Sequence, residues 1–158
     1  MNAAQLHLAF NHFPVIASLF GLPLFIWGMA SKKVDFQKSA SLLWILGALA
    51  AVIAMQSGEG AEELVEHLPG VVESTIELHE EVAKFGLAWM LALGAGGAFA
   101  LWATRGGAAL KKPVTISLLI LNIIAAVVIG RVAHLGGQIR HAEIQAGAAA
   151  AGEEEHKD

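Results

Sequence analysis

The chain has no cysteine and no tyrosine, only four prolines in 158 residues, and Asp, Glu, Lys and Arg together supply just 15% of it. Without cysteine there can be no disulfide, thiolate metal site, iron–sulfur cluster or Cys-x-x-Cys-His haem attachment. The zinc-protease spacing His-Glu-x-x-His is missing. The di-iron spacing Glu-x-x-His occurs only at Glu153 and His156. No basic patch offsets the net charge of −4, so no nucleic-acid partner is expected. What replaces charge is apolar surface: 56% of residues are hydrophobic and the mean hydropathy is +0.60. That is too apolar for a soluble domain of this length and predicts an integral membrane protein.

Four apolar stretches approach the roughly 20 residues that a helix needs to cross a bilayer. They run from about Ala4 to Ala30, Ser39 to Gln56, Phe85 to Trp102 and Pro113 to Ile129. The second is the shortest. The fold class is therefore all-α, an integral membrane four-helix bundle over residues 1–145 with an acidic extramembrane segment at 57–84. A disordered acidic tail is expected at 146–158. Lys32, Lys33 and Lys38 follow the first span, and Arg105, Lys111 and Lys112 follow the third. By the positive-inside rule this side is cytoplasmic, so both termini lie outside. The first span has no basic residues before it and reads as a retained anchor, not a cleaved leader.

The opposite connection, Ser57 to Ala83, holds eight glutamates and neither Lys nor Arg. Ala61 to Leu68 suits a short separate helix stopped by Pro69-Gly70. Ser74 and Glu77 have the spacing of a capping box at the start of the third helix. Trp27, Trp44 and Trp102 fit an aromatic belt at the basic end, with Trp89 packed inside. Pro14 and Pro23 are expected to kink the first span. The fourth helix is expected to pass Gly136-Gly137 and reach about Gln145.

Histidine is the feature that speaks to function. Six of seven, His7, His12, His67, His79, His134 and His141, flank or end the spans on the outer side. Ionisable groups near membrane depth are costly, and imidazole is the commonest ligand for transition metals and haem iron. Counting residues from the basic ends puts His12 and His134 in one layer near the outer interface. His7, His79 and His141 fall in a layer above. His67 lies in the loop and His156 in the solvated tail. Asn11, Asn122, Gln56, Ser57 and Glu59 are polar neighbours suited to orienting such ligands.

The residues His7, His12-Phe13-Pro14, Ser57-Gly58, His79, His134-Leu135-Gly136-Gly137 and His141 resemble the motifs of a bacterial family of four-helix integral membrane proteins. That family opens with His-Pro-x-x-x-His-Phe-Pro, turns at Thr-Gly after the second span and carries His-x-Gly-Gly late in the fourth helix. Here Leu8 and Ser57 replace the first proline and the threonine. The resemblance extends to about His141. It implies the four-helix topology, singles out five histidines and brings no assigned activity.

Three readings follow. In the first, the chain is a b-type haem protein of the bacterial inner membrane that transfers electrons at the periplasmic face. His12 and His134 are then the leading axial ligands, followed by His7, His141 and His79. Arg131 and Arg140 are candidates to pair with haem propionates. Redox partner proteins and a homodimer, through Gly94 and Ala98, are the expected partners beside the lipid bilayer. In the second, His12, His134, His7, His79 and His141, with nearby glutamates, hold a single transition-metal ion such as Zn, Cu or Fe. In the third, the histidines are interfacial polar residues of a structural or assembly subunit.

Overall fold

The computed structural model describes residues 1–141 and 144, and all of its regular elements are helices. They are α1 (Ala3–Phe10), α2 (His12–Ala30), α3 (Val34–Val65), α4 (Glu73–Ala103) and α5 (Lys112–Arg140), with a 3-10 turn at Arg105–Gly107. The α1–α2 pair, α3, α4 and α5 are each long and apolar enough to cross a membrane. α2 packs on α3 and α5, and α4 packs on α3 and α5, which closes a ring of four. α1 lies against the C-terminal end of α3. Large apolar side chains cover the outside of this ring, among them Val127 at 68% exposure and Phe20 and Leu19 at 60%. A soluble monomer does not leave such a continuous apolar surface in water; lipid is the solvent that suits it.

The first span breaks at Asn11. Pro14 has no N–H to offer the carbonyl of Phe10, so the ladder opens one turn before it. Pro23, by contrast, sits inside an unbroken α2. At the N-terminus, Asn2 and Gln5 form a reciprocal capping box at 2.9 and 3.1 Å, which starts α1.

Several expectations need correction. Residues 61–65 are not a separate helix: α3 runs on through Gly58 and Gly60 to Val65, so the second span belongs to the longest helix, of 32 residues. The glycines fit there because α1 crosses them closely. A Cβ on Gly60 would lie 2.7 Å from that of Ala3. α4 begins at Glu73 with Val72 as its cap and no capping hydrogen bond, so Ser74 and Glu77 make no capping box. α5 ends at Arg140 instead of Gln145. The tail 146–158 lies outside the described residues.

The core centres on Phe25, Trp44, Met90, Leu93 and Leu118. Trp44 is not part of the interfacial belt. It is fully buried, with its ring 4.9 Å from that of Phe25 and its indole over Gly21. Trp27 and Trp102 are exposed, and Trp89 packs partly against the core. Gly94 and Gly97 face inward, where a Cβ would meet the Ala48 side chain at 2.6 Å and the Ser41 carbonyl at 2.7 Å. Their small size serves close packing of α4 on α3.

Candidate functional site

Asn122 sets the register of the bundle. Fully buried in α5, it donates through Nδ2 to the Ser18 carbonyl of α2 at 2.9 Å. At 1.5 Å per residue, His12 then lies about 9 Å above this pin and His134 about 18 Å above it. The two are not level, and both are exposed. The arithmetic also places His7 about 16.5 Å up the first span and Val132 about 15 Å up α5. His7, His79 and His134 therefore occupy one level, with His12 below. His141, at the end of α5, lies about 13.5 Å above Val132 and is exposed.

Two of these histidines are held by the bundle. His7 Nδ1 donates to the carbonyl of Ala54 in α3 at 2.9 Å. His79 Nδ1 donates to the carbonyl of Val132 in α5 at 3.1 Å. Both rings are partly buried. A carbonyl oxygen can only accept, so each Nδ1 must carry the proton and each neutral ring keeps its lone pair on Nε2. This is the arrangement in which imidazole serves as an oriented ligand. Glu80 follows His79 in α4.

The local sequence makes room for both rings. Ser57 Oγ turns back to the carbonyls of Ile53 and Ala54, at 2.8 and 3.2 Å. Gly58 follows, and a Cβ there would lie 4.0 Å from His7 Nδ1. The His79 ring lies on Gly136, whose absent Cβ would be 3.1 Å from Cε1 and 3.4 Å from Nδ1. Asn11, one turn from His7, has its Oδ1 buried without a hydrogen-bond partner. Glu62 of α3 lies near Glu80 of α4, with Glu59 and Glu66 also near Glu62.

The remaining candidates are dispersed. His67 is exposed and pairs with Glu66 at 3.2 Å. Arg140 is exposed at the end of α5. Arg131 and His134 lie together in an outward cleft between α4 and α5, away from the anchored pair. Among the described residues, no three His, Asp or Glu side chains converge as the ligand set of an ion. The backbone anchors at Ala54 and Val132 had no signal in the sequence, because a carbonyl acceptor has no residue type. The Asn2-x-x-Gln5 box was a readable sign that α1 is an ordered element able to present His7. Comparison with family models, curated proteins and solved structures gives no match.

Proposed function

We propose that the protein is a b-type haem protein of the bacterial inner membrane that carries electrons at the periplasmic face, with His7 and His79 as the residues that would hold the haem iron. The observation that carries this reading is the anchored pair. Two imidazoles from different helices each have Nδ1 tied to a backbone carbonyl and Nε2 left as a donor. The donor set fits the group. Haem iron would ask the protein for only one or two ligands, whereas a bare Zn, Fe or Mn ion asks for three or more. Two anchored histidines match the first demand. When bound, haem supplies reversible one-electron chemistry.

The residues of the chain do the rest. The Ala54 and Val132 carbonyls fix both tautomers and ring orientations and enrich the donor nitrogens. The apolar belt of the bundle lies below the pair and keeps that side dry. The orientation with both termini outside rests on the six Lys and Arg of the opposite loops. It makes the histidine level periplasmic.

An optical spectrum of freshly purified detergent-solubilised protein tests the proposal. A Soret band that shifts on dithionite reduction is expected. It should be lost in His7→Ala and His79→Ala and kept in His12→Ala. A colourless preparation with one equivalent of copper or another metal would hand the pair to a bare ion. Neither colour nor metal would leave a structural role.

A further inference from the structure

The cleft between α4 and α5 has a volume of about 550 Å³. Ser74, Thr75 and Leu78 of α4 face Arg131, His134 and Gln138 of α5 across it. Its depth in the bilayer follows from the helix rise. Lys112, at the basic end of α5, and Arg131 are 19 residues apart, or about 28.5 Å. The hydrocarbon layer is about 30 Å thick, so Arg131 reaches the outer interface just as Lys112 marks the inner one.

Arg131 has no acidic partner among the described residues, although the acidic segment is concentrated at the same end of the molecule. A guanidinium at an interface, without a counterion in the protein, calls for an anion with several acceptor oxygens. His134, one turn away on the same face, and the Ser74 and Thr75 hydroxyls add hydrogen-bonding groups around one spot. Toward the membrane centre, one, two and three turns before Arg131 on α5, the exposed Val127, Ile123 and Ile120 continue the cleft with apolar surface. A polar mouth at headgroup depth with an apolar continuation matches a molecule that carries phosphate at one end and hydrocarbon at the other.

We propose that this cleft binds the phosphodiester headgroup of an outer-leaflet phospholipid, with Arg131 as its principal contact and His134, Ser74 and Thr75 as secondary ones. The inference does not draw on the haem reading, and it moves Arg131 and His134 from a cofactor role to a lipid one. Native mass spectrometry of the detergent-purified protein tests it with three probes: phosphatidylglycerol, diacylglycerol with the same chains, and inorganic phosphate.

The wild type should retain one phosphatidylglycerol and release diacylglycerol. Arg131→Gln should weaken phosphatidylglycerol retention at least about fivefold, the scale of one basic residue at a lipid surface. Arg131→Lys, which keeps the charge and loses the planar fork, should fall between. An unchanged unfolding midpoint checks that the exposed Arg131→Gln site leaves the fold intact. Equal retention of phosphatidylglycerol by wild type and Arg131→Gln would overturn the proposal. So would equal retention of both lipids, or displacement of the lipid by millimolar inorganic phosphate, which would make the free anion the occupant.

Discussion

Gly136→Ala and Gly136→Val separate the histidine site from the stability of the bundle. In the wild type the His79 ring lies against Gly136 and donates to the Val132 carbonyl at 3.1 Å. A Cβ at 136 would sit 3.1 Å from His79 Cε1. Alanine must therefore push the ring by a few tenths of an ångström, and the γ-methyls of valine push it further. The hydrogen bond lengthens toward its limit in the first variant and breaks in the second. Its loss costs about 0.5–1.5 kcal/mol. Replacing glycine inside α5 returns part of that, up to about 1 kcal/mol for alanine. The two effects nearly cancel, so the alanine variant should unfold within about 0.7 kcal/mol of the wild type. The ring itself should report the change. In ¹⁵N spectra of histidine-labelled protein above pH 8, His7 and His79 should show the Nδ1-protonated tautomer, which an unconstrained histidine disfavours. His79 should move toward the ordinary tautomer mixture in Gly136→Ala and complete the move in Gly136→Val, while His7 stays put. Wild-type rings protonated on Nε2, or a His79 spectrum unmoved by valine, would refute the assignment of these anchors and the ligand geometry built on them.

Other substitutions probe the packing. Gly97→Leu should destabilise the bundle by about 1–3 kcal/mol, because a Cβ there meets the Ser41 carbonyl at 2.7 Å. Ala98→Leu, one residue on and exposed, should be nearly silent in the same detergent unfolding titration. Trp44→Ala empties a fully buried site and should cost about 3 kcal/mol or more, whereas lipid-facing Trp27→Ala should stay within about 0.5 kcal/mol of zero. Asn122→Leu removes the bond to Ser18 and should cost about 0.6–1.7 kcal/mol, the range of interhelical hydrogen bonds in membranes. A stabilised Asn122→Leu variant would show that the pin is not what holds α2 and α5 in register.

The helical class and the four crossings were legible because bilayer thickness imposes a length that no local exception can hide. The stop at Pro69-Gly70 was legible for the same kind of reason, since both residues act locally. Gly58 and Gly60 were misread because their local preference is to end a helix. The gain from seating α1 against them outweighs that preference, and nothing in the residues near Gly58 announces Ala3. Trp44 was misread because its position fits an interfacial belt by counting. The deciding fact is Gly21 on another helix, which leaves a slot for an indole. Depth failed where it depended on two helices at once. His12 and His134 each had a reasonable count from the basic side, but the Asn122–Ser18 pin offsets them by six residues.

The site was legible as residue types and illegible as a pairing, and the structure shows why the two differ. His7 takes its place from Ala54 and from the Ser57-Gly58 step of α3, and His79 takes its place from Val132 and Gly136 of α5. His7 with Ser57-Gly58 and His79 with Gly136 thus form two contacts in space, each a histidine set on a small residue of another helix, and His12 and His134 belong to neither. A partly buried ring needs a partner for its N–H that water does not supply, and the carbonyl seat provides it. Fixing one nitrogen on a carbonyl makes sense when the other nitrogen must point somewhere particular. His12, with an exposed ring and no carbonyl anchor, lacks that constraint. This difference in seating, more than histidine content or depth, is what sets His7 and His79 apart from His12.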